Sequence, residues 1–238
     1  MAGEAAAQVS SVSTAWAVFS VIGGTLIGST ISTIVALWTQ KRNLAAAKAQ
    51  RDEERQAKRE AIGYGFLFKL IRLASNLDAL GKAVRQTLEG AAAKGFKGSA
   101  FQIVVPVVPL PDKIVFSPDE MGMVLSLDSA VFNQLGALDE LHNSTVALFE
   151  MYGKQRTAVM DRFGAKMEGT LGTTEMTEKD LHWLAPRAAE LDQLVEMMLQ
   201  RAEGDGKEAW VGLESLHAML QKHFGIKHKL EPKYPGNA

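Results

Sequence analysis

The chain has 238 residues, of which 47% are hydrophobic and 22% charged, and its formal net charge is −1. Because it has no cysteine, disulfides, thiolate metal sites and a cysteine nucleophile are excluded. The near-zero charge gives the whole chain no electrostatic bias toward nucleic acid, so none is expected as a partner. Abundant alanine and leucine with few aromatic residues favour helices over sheets, and we predict an all-α fold.

Residues 15–38 form an apolar run without a charged side chain. As a helix, the run is long enough to cross the ~30 Å hydrocarbon core of a bilayer. Trp16 and Trp38 lie near its ends, where indole rings favour the membrane interface, and Lys41 and Arg42 follow directly. The sequence therefore predicts one transmembrane helix anchored by these four side chains.

The segment before this run, residues 1–14, has no lysine or arginine and contains Glu4, which disfavours a removable signal peptide. The basic residues all follow the run, so the positive-inside rule places the N-terminus outside and the rest of the chain in the cytoplasm. We predict a single-pass protein of a bacterial-type inner membrane. A helical domain on the outer side stays open as an alternative.

Small residues recur at every fourth position of the predicted span and would form one stripe on a helix. The stripe consists of Ser20, Gly24, Gly28, Ser32 and Ala36. Such a stripe lets two helix backbones approach closely in lipid, which predicts a homo-oligomer. The alternative is that small residues are simply common in membrane helices.

Residues 39–61 are rich in alanine and charged side chains, and Leu44 is their one large apolar residue before Ala61. They predict a solvent-exposed helical stalk or a weak coiled coil. Up to residue 61 the pattern resembles the stalk subunits of rotary ATP synthases, but the later sequence does not continue the resemblance, and no family is assigned. Interspersed acidic residues argue against a basic helix that binds nucleic acid.

Residues 62–225 carry apolar stripes at helical spacing and predict a small helical bundle, followed by a basic flexible tail at 226–238. Three prolines at residues 95–117 exclude a helix there and predict an extended segment, which we call the strap. Its QIVV and KIVF stretches would allow a short strand pairing. We interpret the strap as a crossover packed on the helices, with partner docking as the alternative.

Helix ends in the bundle follow from capping patterns. Ser117 followed by Pro118 predicts the start of a short helix that ends near Ser126, and Asp128 predicts the start of a long helix that ends near Lys166.

Further along the chain, Thr177 with Asp180 resembles a capping box and predicts another helix start. Pro186 predicts a kink or restart in that helix. Gly-Asp-Gly at 204–206 predicts a break before a last helix, and Gly225 predicts its end.

Motifs for nucleotide binding, serine hydrolysis and zinc proteolysis are absent from the sequence. Asp139 with His142, and Glu214 with His217, each place an acid three residues before a histidine, as di-iron bundle proteins do. A metal-binding bundle enzyme using these four residues is therefore the alternative hypothesis. Since two further carboxylate ligands are missing, we expect an interaction or scaffold protein with an unknown protein partner rather than an enzyme, and predict no cofactor.

Overall fold

The computed structural model describes the backbone of residues 4–163, 166–168, 171–173 and 176–226, and the side chains of residues 37–163 and 176–226. The predicted all-α class is confirmed, with a short antiparallel hairpin in which Lys166 lies opposite Thr173. The elements in chain order are α1 (Glu4–Ala93), α2 (Ala100–Ile103), α3 (Pro118–Leu127), α4 (Ser129–Leu135), α5 (Leu138–Phe163), β1 (Lys166–Glu168), β2 (Leu171–Thr173) and α6 (Glu178–Phe224).

The chain divides into two compact units, Met1–Lys58 and Arg59–Ala238. In the first unit, the side chains described from Leu37 onward are exposed. Among the residues that the structure describes, we find no helix with the length and apolar character needed to cross a bilayer. Apart from Leu37 and Trp38, the predicted span at 15–38 lies outside the residues whose side chains are described.

The second unit is a helical bundle with two hydrophobic clusters. The first joins α1, α3 and α4 to the C-terminal half of α6, and the second joins the later part of α1, the strap and α5 to the N-terminal half of α6. The predicted apolar stripe of α1 supplies both clusters through Phe66, Leu70, Leu73, Leu77, Leu80 and Val84, all buried. Each such side chain contributes about 1.5–3 kcal/mol on burial, so packing rather than helix propensity stabilises the bundle.

Three predicted helix ends are confirmed in detail. Ser117 and Glu120 form a reciprocal capping box at α3, and Thr177 and Asp180 form one at α6. Gly225 ends α6 in the left-handed conformation with φ 66°. These signals are local, since each cap satisfies backbone groups within its own turn.

The long helix predicted from Asp128 is interrupted. Asp128 caps α4 through bonds from the backbone N–H groups of Ala130 and Val131, but α4 ends at Leu135 and α5 begins at Leu138. Gly136 lies at the interruption and has the weakest helix propensity of any residue except proline. Apolar periodicity continues across it, which is why the pattern alone predicted one helix.

The helix continues through Pro186 and through residues 204–206, so a restart at Pro186 and the predicted break at 204–206 are wrong, whereas a kink at Pro186 stays a prediction. The Arg187 guanidinium donates to the carbonyl of Trp183, next to the carbonyl that Pro186 leaves without its usual donor. At the second position, Asp205 is buried and accepts a hydrogen bond from Thr145 of α5. At residues 204–206 a tertiary contact thus holds the helix where local propensity disfavours it.

The strap is not extended throughout, since Ala100–Ile103 forms the single-turn helix α2. The Asp192 carboxylate accepts from the backbone N–H of Phe101 at 2.9 Å, and the Phe101 ring is buried in the second cluster. The QIVV and KIVF stretches do not pair, and the sheet found in the described residues contains β1 and β2 alone. The strap backbone is instead bonded by side chains of α5, and also by Asp192 of α6 and Lys69 of α1.

Candidate functional site

The residues predicted to act in the membrane are described only in part. The side chains of Trp16, Ser20, Gly24, Gly28, Ser32 and Ala36 lie outside the described residues, so their roles stay predictions. Trp38, Lys41 and Arg42 are exposed, and the Arg42 guanidinium carbon lies 5.6 Å from the centre of the Trp38 ring. That distance fits a cation–π contact, which at an exposed site contributes about 0.5–1 kcal/mol.

The two acid–histidine pairs are not assembled into a metal site. Asp139 accepts hydrogen bonds from the backbone N–H groups of Phe116 and Glu140, while Glu214 is exposed and His217 half-buried. In the part of the chain that the structure describes, no group of three or more histidine, aspartate or glutamate side chains could hold a metal ion.

A buried polar layer lies between the two hydrophobic clusters along α1, α5 and α6. Its side chains are Asn76, His142, Thr145 and Asp205, of which the last three are buried. The Thr145 hydroxyl donates to the Asp205 carboxylate at 2.7 Å, and Asn76 Nδ2 lies 3.2 Å from His142 Nε2. Satisfied polar groups of this kind fix how helices pack, because a shifted packing would leave them unpaired.

The hydrogen bonds around His142 determine its tautomer. Asn143 Oδ1 accepts from the backbone N–H of Ile114 at 2.9 Å, and Asn143 Nδ2 donates to the Ile114 carbonyl at 2.7 Å, which fixes the amide orientation. His142 Nδ1, 3.1 Å from Asn143 Oδ1, must therefore carry the proton, and Nε2 accepts from Asn76. Burial lowers the pKa of His142, the bond to Asn143 opposes this, and the Arg72 charge adds to the lowering.

The polar layer continues into the strap, which α5 holds at both ends. At one end Asn143 bonds both backbone groups of Ile114. At the other end the Tyr152 hydroxyl donates to the Val104 carbonyl at 2.6 Å, and Arg156 Nε donates to the Phe101 carbonyl at 2.9 Å. Burial raises the pKa of Tyr152 to about 12, so this hydroxyl keeps its proton and remains a donor at physiological pH.

The outer face of the strap presents valine side chains to solvent. Val105, Val108 and Val115 are 61%, 85% and 66% exposed. Two open grooves flank the strap, one of about 770 Å³ against α5 and one of about 840 Å³ against the C-terminal part of α1. Both volumes lie within the range of ligand sites, and Val108 lines both grooves. An apolar surface held by hydrogen bonds on both sides can bind another surface.

A smaller cleft of about 260 Å³ lies between α1 and α6. Its charged walls pair with one another, since Lys82 donates to Asp78 at 2.7 Å and Arg85 bonds Glu203. The Glu203 carboxylate raises the pKa of Arg85, so the guanidinium stays charged. The bond between Arg85 and Glu203 links α1 to α6 at the surface, whereas Lys82 and Asp78 pair within α1.

The sequence pattern indicated His142 as a candidate ligand but did not indicate the side chains that hold the strap, namely Asn143, Tyr152, Arg156 and Asp192. An extended segment without a strand partner needs other donors and acceptors for its backbone, but that need does not identify the side chains that supply them. Comparison with known protein families, curated proteins and solved structures finds no match to this chain.

Proposed function

We propose that this protein is a single-pass membrane-anchored interaction or scaffold module whose helical bundle faces the cytoplasm of a bacterial-type cell. The observation that carries the proposal is the strap, whose exposed Val108 lies between backbone segments bonded at Val104 and Ile114. Exposed apolar side chains in a rigid segment are typical of binding surfaces, because little conformational entropy is lost when they are covered.

A binding function also fits the chemistry of the bundle. Both ring nitrogens of His142 are engaged in hydrogen bonds, and Asp139 accepts from two backbone N–H groups. The metal-binding alternative would need a ring nitrogen of His142 as a ligand, so a metal would have to replace its hydrogen bond with Asn76 or with Asn143. We therefore favour interaction over catalysis.

The uncharged run at 15–38 and the cations Lys41 and Arg42 support the membrane anchor. Since the chain has no cysteine, single-cysteine variants can test it. We expect S10C to react with a membrane-impermeant maleimide in intact cells, and G90C to react only after lysis. The opposite pattern would place the bundle outside, and reaction of both variants in intact cells would refute a single span.

The interaction itself can be tested by photo-crosslinking in native membranes. A photoreactive amino acid is placed at Val108, and in a matched variant at Val211, an exposed valine of α6. We expect a discrete protein adduct from position 108 and none from position 211. Equal adducts from both positions, or none from position 108, would refute the strap as the interaction surface.

The predicted homo-oligomer rests on the small-residue stripe of the span. Replacing Gly24 and Gly28 together by isoleucine adds bulk at the centre of that stripe. We expect a smaller particle in detergent if the span associates, and an unchanged particle size would remove the stripe from the proposal.

A further inference from the structure

The groove between the strap and α5, which we call the strap groove, has a defined direction. Ile114 bonds Asn143 near the start of α5, whereas Pro106 packs on Gly153 about three turns further along. The strap therefore runs antiparallel to α5. A Cβ atom at position 153 would lie 3.4 Å from the Pro106 side chain, so glycine allows the two walls to approach closely.

The walls of the strap groove are apolar. Pro106, Val108 and Leu110 line one side, and Val146, Phe149 and Ala158 line the α5 side. Phe149 is buried in the second hydrophobic cluster, whereas Val108 and Ala158 are exposed. The groove is thus a continuation of the core that reaches the surface.

Charged side chains of opposite sign mark the two ends of the strap groove. Lys113 lies at the end near Glu150, whose pKa is lowered by Lys154 and further by Lys113. Asp161 lies at the other end, eleven residues along α5, which is about 16 Å of helix. In the described part of the chain neither Lys113 nor Asp161 forms a hydrogen bond or salt bridge, whereas Glu150 and Lys154 pair with each other at 2.6 Å.

This geometry indicates which kind of partner the groove would bind, an inference that rests on the proposed function. We propose that the strap groove binds an amphipathic helix of about three turns from a partner protein, with its N-terminal end at Asp161 and its C-terminal end at Lys113. A carboxylate at a helix N-terminus and an ammonium at a helix C-terminus both complement the helix dipole. The part of α5 between Glu150 and Asp161 matches about eleven helical residues, enough for apolar anchors at positions i, i+4 and i+7.

Two other modes of peptide binding fit the strap less well. A partner strand would need backbone donors, but Pro106, Pro109 and Pro111 leave three of the seven residues at 105–111 without an N–H group. The strap could itself be a polyproline ligand only if its prolines were accessible together, yet Pro106 and Pro111 are half-buried and only Pro109 of the three is exposed. The groove is therefore the receptor and the partner supplies the helix.

The test uses the purified full chain in detergent and two display libraries of peptides about twelve residues long. One library is templated as amphipathic helices and the other is proline-rich and extended. We expect enrichment from the helical library only, with a basic residue in the first turn and an acidic residue in the last turn. Enrichment from the extended library, or from neither library, would overturn the proposal.

Variants assign the binding to the groove. We expect V108D to weaken binding of the enriched helices about tenfold or more, and the control V211D to change it less than about twofold. K113E is expected to weaken the binding of peptides with an acidic residue in the last turn. It should strengthen the binding of peptides with a basic residue at that position. If the enriched helices bound V108D and the unmodified chain equally well, the strap groove would not be their binding site. If K113E left their affinity unchanged, the proposed orientation of the helix would be refuted.

The helical partner and the proposed interaction function can be refuted independently of each other. An adduct at Val108 to a partner segment that is not helical would keep the interaction function and refute the helical partner. Absence of any adduct at Val108 in native membranes would refute the interaction function itself, whatever the libraries select.

Discussion

Replacing Asn143 by alanine tests whether α5 side chains hold the strap. The amide makes three hydrogen bonds, at 2.9 and 2.7 Å to the two backbone groups of Ile114 and at 3.1 Å to His142 Nδ1. Each bond contributes about 0.5–1.5 kcal/mol net, and Ile114 and His142 are both buried, so their polar groups would be left without partners. We expect N143A to lower the free energy of unfolding by about 3 kcal/mol.

The assay is denaturant unfolding of the full chain in detergent, combined with hydrogen exchange at the Ile114 amide. Exchange at Ile114 is expected to accelerate in N143A. Asn133, an exposed asparagine of α4, provides the matched control, and N133A should change the free energy of unfolding by less than about 0.5 kcal/mol. If N143A were no more destabilising than N133A, or if Ile114 exchange were unchanged, the strap would not depend on this amide.

Three further predictions concern the interior of the bundle. Because burial lowers the pKa of His142 in the folded state, this histidine takes up a proton less readily in the folded protein than in the unfolded chain. The free energy of unfolding should therefore fall as the pH drops below about 6.5. The H142Q variant should lose this part of the pH dependence. Thermal unfolding should show that G204A, with nothing within 4 Å of the new Cβ, stabilises the chain by about 0.5–1 kcal/mol. G212A, whose Cβ would lie 2.8 Å from a leucine methyl, should instead be destabilising by about 1–3 kcal/mol, and equal effects of the two glycine substitutions would contradict the packing. T145V removes the hydroxyl that donates to buried Asp205 and should cost about 1–3 kcal/mol in denaturant unfolding, whereas an unchanged midpoint would show that the carboxylate has another partner.

The parts of the fold that could be predicted from the sequence are those with local causes. The capping boxes at Ser117 and Thr177 and the left-handed Gly225 depend on residues within one turn, so their patterns are sufficient. The apolar stripe of α1 predicted a buried face because helical periodicity alone determines which side chains share a side. None of these local features identified the strap groove, because its two walls come from segments that are far apart in the sequence.

The predictions that failed involve residues whose behaviour depends on distant contacts. Gly-Asp-Gly at 204–206 disfavours a helix locally, but buried Asp205 bonds Thr145, which is sixty residues away in the sequence. The strap was predicted to be extended throughout, yet Ala100–Ile103 forms a helical turn in which Asp192, ninety-one residues away, accepts from the Phe101 N–H group. A single sequence gives no signal for such pairs, since each side chain alone resembles an ordinary surface residue.

The buried polar layer and the strap are linked through the hydrogen bonds of Asn143. A buried histidine with both nitrogens bonded costs the bundle apolar contacts that leucine could supply at the same position. The histidine in turn orients Asn143. His142 Nδ1 and the backbone N–H of Ile114 both donate to the side-chain oxygen of Asn143, so the amide is fixed from two sides. The amide then holds one end of the exposed strap in register with α5, and Tyr152 holds the other. The proposed interaction surface depends on this arrangement, because the arrangement holds both ends of the segment that carries the exposed Val108.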